Sequence, residues 1–379
     1  MKLSPKDFTS NIHNWYSWRW QVEHSITCVK QLPAQIKVDE ADLKKCVSQF
    51  PMRITPYYLS LIEWDNPNDP IRKQAIPSKE ELETEDWEMD DPLSEEASSP
   101  VRTIVHRYPD RVLFTVSSTC AMYCRHCTRK RWAGHLPIPF SSSDLEQGIE
   151  YITNHSKIRD VIVSGGDPLM LSDNLIVYLI RQLSSIEHVE MIRIGTRVPV
   201  TLPMRVTDEL AYRLGQFPKL WVNTHFNHVN EITSFSTAAC RKFQSVGIPV
   251  NNQSVLLRGV NDTLEDMRNL VHGLMKIRVR PYYLYQCDLA RGLKHFRTNI
   301  DTGVNIIRGL RGFTSGMCIP QFVIDSPKGG GKVPINPDYI TDVTEDYLEF
   351  VNFQGKHYRY PRNLEFVNFQ GKHYKYPRS

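Results

Sequence analysis

The chain reads as an α/β protein built on parallel strands, and two observations predict it. Short apolar runs alternate with amphipathic helical periods about six times, the pattern of strands joined by right-handed crossovers. Chemistry-bearing polar residues follow the ends of those runs, where α/β folds gather ligands. Periodicity alone leaves two architectures open, a barrel and an open doubly wound sheet.

The elements follow in order. Residues 1–105 form an N-terminal extension with a Trp-rich helical start and then an acidic run, "KEELETEDWEMDDPLSEEASSP"; ten of the residues from Glu80 to Glu96 are acidic. That composition predicts a solvated, mobile surface segment. Residues 106–325 form the core. Its buried strands are expected at 111–117, 160–165, 189–195, 220–225, 248–257, 280–286 and 319–325. One helix is expected to begin at Ser143 with Glu146 closing a capping box, burying Leu145, Ile149 and Ile152. Another begins at Thr263 and carries Leu264, Met267, Val271, Leu274 and Met275 on one stripe. Residues 326–379 form a C-terminal segment with an internal repeat: 348–363 and 364–379 agree at 14 of 16 positions. Two copies are too few for a solenoid, so the first is expected to pack and the second to be redundant and poorly ordered.

Composition excludes several classes. The chain has 379 residues, 41% of them hydrophobic and 23% charged, with net charge +4. That excess is too small to argue for nucleic acid or an anionic membrane as a partner. No apolar run reaches 18 residues, and the first 27 lack the apolar core and cleavage site of a secretory signal, so a cytoplasmic protein is expected. Outside one trio the cysteines are isolated (Cys28, Cys46, Cys240, Cys287, Cys318), which fits free thiols in a reducing compartment.

The trio is Cys120, Cys124 and Cys127, spaced C-x3-C-x2-C directly after the first core strand. Four thiolates close a metal site; three leave one position for something else, as on a 4Fe–4S cluster with one open iron. A zinc site with His126 or Cys287 as the fourth ligand is the alternative. Two glycine motifs also stand out. "SGGDPL" (164–169) ends the second strand, and Gly165 and Gly166 allow close backbone approach there. "VIDSPKGGGKVP" (323–334) is a strand, a glycine turn and Lys332; Val333 stands where a Walker loop needs Ser or Thr, so it is not a P-loop.

"CAMYCRHCTRKRWAG" resembles the lysine 2,3-aminomutase family of radical S-adenosylmethionine (SAM) enzymes. The likeness continues through "HRYPDRVLF", "SGGDPL", "RIGTRVPVTLP", "NTHFNH", "NQSVLLRGVND", "RPYYLYQCDLARGLKHFRT" and "GGGKVP". It implies a partial (β/α)6 TIM-like barrel and three cofactors: a 4Fe–4S cluster on Cys120, Cys124 and Cys127, SAM chelated to the open iron, and pyridoxal 5′-phosphate (PLP) on Lys332. It implies SAM contacts from Gly165, Gly166, Asp167, Arg197, His225 and Asn227. PLP contacts are implied for Arg107, Arg111 and Gln253, with the arginines on its phosphate. Arg129 would grip a substrate carboxylate, and Asp288 and Asp325 the distal ammonium of lysine. The implied activity is a 1,2-amino migration interconverting L-lysine and β-lysine; arginine or ornithine as substrate, and a non-catalytic iron–sulfur or zinc relative, are the alternatives. A redox protein such as flavodoxin or ferredoxin would supply the electron.

Three departures from the family pattern bear on these implications. Lys328 stands where the family has glycine, which strains a positive φ and brings a cation toward Asp325. Thr263 replaces a family zinc ligand and no cysteine follows Cys318, so no structural zinc is expected, and a dimer is better supported than a tetramer. The duplication is the third.

Overall fold

The structure, a computed structural model, describes residues 2–32, 40–135, 140–362, 365–367 and 373–375. Nine strands form one sheet in sequential order: β1 (Ile104–Tyr108), β2 (Arg111–Ser117), β3 (Asp160–Gly165), β4 (Met191–Gly195), β5 (Leu220–Thr224), β6 (Val250–Leu256), β7 (Arg280–Gln286), β8 (Gln321–Ser326) and β9 (Gly331–Pro334). β2 to β8 are parallel; β1 and β9 are antiparallel edges. The crossovers carry helices α1 (Ser142–Thr153), α2 (Asp173–Ser185), α3 (Asp208–Leu214), α4 (Ser234–Ser245), α5 (Leu264–Lys276) and α6 (Ile300–Leu310). Sequential order settles the open choice. A doubly wound sheet reverses its strand order at a switch point, and this one never does. Right-handed crossovers in unbroken order put every helix on one face, so the sheet curls into a partial barrel of six βα units closed by a seventh parallel strand.

The two strand faces bury different chemistry. Val161 and Val163 on β3, Ile192 and Ile194 on β4, Val222 on β5 and Leu284 on β7 are buried in the core they share with the helices. The same core takes in Trp15, Ile54, Tyr57, Tyr58 and Leu59 from the N-terminal extension, which contributes short helices such as Trp18–Glu23 and Pro56–Ser60. The opposite face lines the lumen and is polar and half-buried. Arg193 holds Asp160 at 2.6 and 2.9 Å, Asn251 donates to Asn223, and Gln253 donates to Tyr285. A lumen lined this way is polar, unlike the branched apolar layers of a filled barrel. The open seam between β1 and β9 is bridged by Tyr108, whose hydroxyl accepts the Lys332 backbone N–H at 2.7 Å.

Several expectations shift. α1 begins one residue earlier, with Ser141 and Asp144 as the capping box rather than Ser143 and Glu146; Leu145, Gly148 and Ile152 are buried. α5 starts as expected, capped by Thr263. β9 joins the barrel sheet, so the expected boundary between 325 and 326 falls inside β8. The acidic run is not a solvated strip: Glu81, Glu88 and Glu95 are buried. Lys328 does adopt the left-handed backbone (φ 58°, ψ 29°), but its side chain is exposed and makes no ion pair with Asp325. The first repeat copy forms β11 (Tyr347–Val351) and β12 (His357–Pro361), which pair with β10 (Ile340–Val343) in a separate sheet. The second forms β13 (Glu365–Val367) and β14 (His373–Lys375), and its register, Phe366 opposite Tyr374, repeats Phe350 opposite Tyr358. Its remaining residues, and with them the expectation of poor order, lie outside those described.

Candidate active site

The three cysteines occupy the loop after β2, fastened from below and above. Gly165 has φ 124°, and a Cβ there would meet the Ser117 carbonyl oxygen at 2.3 Å; one on Gly166 would meet the Thr119 carbonyl oxygen at 2.6 Å. The glycines therefore allow close packing of the "SGG" turn on the cysteine loop's backbone. On the other side Glu81 clamps the loop. Its carboxylate, wholly buried, meets Arg125 at 2.5 and 2.9 Å and the Lys130 ammonium at 2.7 Å. Burial would push Glu81 up, but the two cations pull it down to about 2. Burial raises the Cys120 and Cys127 thiols. A thiol that must ionise in this setting needs a cation, which a bound iron cluster supplies.

Four residues read as SAM contacts divide sharply. The Asp167 carboxylate accepts from Leu169 N, Thr196 Oγ1, Arg197 N and Val198 N, at 2.7 to 3.2 Å. Four donors fill a carboxylate, so Asp167 fixes the turn after β4 and is not a free charged partner. Asn227 is likewise spent: its amide donates to Gln74 and His126 and accepts from Val255 N. Arg197 is buried with Nη1 2.8 Å from Cys124 Sγ and Nη2 on Gln74 and Glu231. It contacts the Cys124 thiol directly. His225 is the exception: its Nε2 is buried without a partner, and burial pushes the ring down to about 3, leaving a neutral imidazole with one nitrogen open to a ligand. Among the described residues no three His, Cys, Asp or Glu groups converge on a single-ion site. His126 Nε2 is engaged by Asn227, while its Nδ1 is buried without a partner.

The second half of the site lies at the seam. Lys332 Nζ sits 3.1 Å from Asp325 Oδ1 and 5.4 Å from the Tyr285 ring centroid. Burial and the neighbouring Asp325 raise Asp288 to about 7, against the pull of Lys332. Gly329 and Gly331 both take positive φ. A Cβ on Gly329 would come within 3.4 Å of Arg107 Nε, and that nitrogen is buried without a partner; Arg107 Nη2 donates to Leu93 O. An unsatisfied guanidinium N–H facing a glycine turn fits a phosphate. Arg111 stacks 4.8 Å from the centroid of the Tyr108 ring and pairs with Asp110, half-exposed at the start of β2. Arg129 is held by Glu95 through Nε and Nη2 and by the Gly165 carbonyl through Nη1. That leaves one N–H on each Nη nitrogen, the spacing a carboxylate takes.

Glu81, Glu95, Gln74 and Tyr108 were missed as site residues. Their signal lies in partners far away in the chain: 34 residues on for Glu95, 44 and 49 for Glu81, 123 for Gln74 and 224 for Tyr108.

The barrel with its three-cysteine loop defines a radical SAM protein: residues 114–271 match the family described as the radical SAM superfamily. Residues 307–376 match the family described as lysine-2,3-aminomutase. The L-lysine 2,3-aminomutase of Clostridium subterminale is 51% identical over 345 residues, covering 90% of this chain and 83% of that protein. That of Bacillus subtilis is 44% identical, covering 92% and 74%. A glutamate 2,3-aminomutase of Clostridioides difficile is 43% identical, covering 90% and 82%. The chain belongs to the lysine 2,3-aminomutase family of radical SAM isomerases.

Proposed function

We propose that the chain is a PLP-dependent 2,3-aminomutase that interconverts L-lysine and β-lysine. The observation that carries the substrate is the Lys332 ammonium seated against Asp325 beside Asp288. That ammonium stands in for the distal ammonium of a substrate lysine, since an alkylammonium is what the carboxylate pair holds. A substrate carboxylate in that place would meet like charge, which argues against glutamate.

When bound, the cluster with SAM supplies a carbon radical for hydrogen abstraction, and PLP supplies an imine-forming carbonyl across which an amino group can migrate. The chain's residues do the rest. Cys120, Cys124 and Cys127 hold the iron. His225, with Gly165 and Gly166 shaping the adjoining turn, faces SAM. Arg107 and Arg111 take the phosphate, and Gln253 lies beside the coenzyme with Tyr285. Arg129 would orient the substrate carboxylate while Asp288 and Asp325 fix the far end, so both ends of the substrate are held. The barrel interior, bridged at the seam by Tyr108, would keep bulk water from reactive carbon. No helix among the described residues is long and apolar enough to cross a membrane. A homodimer and a cytoplasmic setting with a flavodoxin or ferredoxin donor complete the proposal.

The test is an anaerobic assay of reduced, reconstituted protein with SAM and PLP across lysine, arginine, ornithine and glutamate. β-Lysine from lysine supports the reading. A β-amino product from arginine or ornithine alone moves the substrate, and one from glutamate alone overturns the roles of Asp288 and Asp325.

A further inference from the structure

A pocket of about 520 Å³ opens beside the cysteine loop and takes no part in the site described above. Arg72, Lys73, Lys79 and Arg258 line it, and none of the four makes an ion pair among the described residues. Two carboxylates, Asp42 and Glu80, line it as well, so the rim keeps a net positive charge. Unpaired cations around a concavity raise the local concentration of an acidic partner and speed its encounter. The floor is aromatic: His295 lies against Phe296, with ring centroids 4.1 Å apart.

Two short paths lead from this pocket to the thiols. Phe296 meets His126 edge-on at 6.3 Å, and His126 directly precedes Cys127. The helix bearing Arg72 and Lys73 (Pro70–Ala75) also bears Gln74. Gln74 Oε1 accepts from Arg197 at 2.6 Å, and Arg197 reaches Cys124 Sγ at 2.8 Å. The Gln74 carbonyl further accepts the Arg125 N–H of the cysteine loop at 3.0 Å. The pocket is thus one layer of side chains away from the cysteine loop.

We propose that this pocket is the docking site of the electron donor, an acidic flavodoxin-type protein whose flavin edge enters over Phe296 while its carboxylates meet Arg72, Lys73, Lys79 and Arg258. The inference rests on the cluster reading of the three cysteines. A concave, aromatic-floored pocket receives the protruding edge of a planar flavin, whereas an iron–sulfur donor offers a cluster beneath a rounded loop. In the transfer, the flavin hydroquinone loses one electron and becomes the semiquinone, and the oxidised cluster gains it. No covalent bond forms or breaks in the protein.

The test uses the full reconstituted chain and the double variant Lys79→Glu with Arg258→Glu, both exposed positions. Cluster reduction is followed by visible absorbance with flavodoxin hydroquinone or with dithionite, and zero-length carbodiimide cross-linking to flavodoxin reports docking without turnover. Docking here requires a loss of ten-fold or more in the flavodoxin-driven rate at low salt, loss of the cross-link, and an unchanged dithionite-driven rate. Equal flavodoxin rates in both proteins would overturn it. So would an equal loss with dithionite, or cross-linking to ferredoxin with none to flavodoxin. Should the unaltered protein reduce and cross-link normally yet make no β-amino acid with dithionite, the docking site stands and the proposed reaction falls.

Discussion

Replacing Glu81 with Gln keeps the side chain's volume and removes one buried charge. Arg125 and Lys130 are then left facing each other, buried, with no anion between them. Losing one partner of a buried ion pair costs about 3–5 kcal/mol. The displaced titration gives a similar figure: Glu81 moves from 4.5 to about 2, a difference worth about 3 kcal/mol at about 1.4 kcal/mol per pH unit. The sign follows from linkage. A depressed carboxylate stabilises the fold above the unfolded value near 4.5, and that contribution disappears as pH falls through about 2, so it is fully present at neutral pH. With an unfolding entropy of about 0.8 kcal/mol/K for a chain this long, the melting temperature at pH 7 should fall by about 4–6 °C. The assay is calorimetry of the metal-free protein, with iron content after reconstitution as the second readout, because Glu81 holds the cysteine loop. A shift under about 1 °C with normal iron retention would refute the clamp.

Other outcomes follow from single sites. Lys328→Gly should stabilise the protein by about 0.5–1 kcal/mol, because relief of about 1–2 kcal/mol of left-handed strain exceeds glycine's entropic cost; denaturant titration checks it, and destabilisation would show that the side chain contributes contacts. Asp288, raised to about 7, is neutral below that pH and charged above it, and a cationic side chain favours the charged form. The KM for lysine should therefore rise up to about ten-fold per pH unit as pH falls below 7, and level off above it. Asp288→Asn should raise KM and flatten the profile; an unaltered slope would remove Asp288 from substrate binding. Deleting 364–379 should leave melting temperature and turnover unchanged, since β11 and β12 of the first copy already complete the sheet with β10, and loss of either would assign the second copy a role.

The seven parallel strands were legible because continuous apolar runs such as "DVIVSG" have few other uses in a soluble chain. The antiparallel edges were not: "HRYPDR" carries polar residues toward the lumen, and "GKVP" is too short to show a period. Sequential strand order, which decides barrel against open sheet, is a property of pairing and not of any one segment. In the site, Cys120, Cys124, Cys127 and Lys332 stood out through spacing and context. Asp167 and Asn227 looked like ligand contacts for a sound reason, polarity at a strand end, but their hydrogen bonds are consumed by neighbouring backbone and amide groups. The acidic run misled for the converse reason. Composition shows ten carboxylates; it does not show that Glu81 and Glu95 meet Arg125, Lys130 and Arg129 across 34 to 49 residues.

The most direct test is borohydride reduction of the PLP-loaded protein followed by peptide mapping. Lys332, on β9 beside Arg107 and the glycine turn, should carry the phosphopyridoxyl group, and Lys332→Ala should carry none. A stable label on any other lysine of the folded protein, or no label at all, would contradict the account.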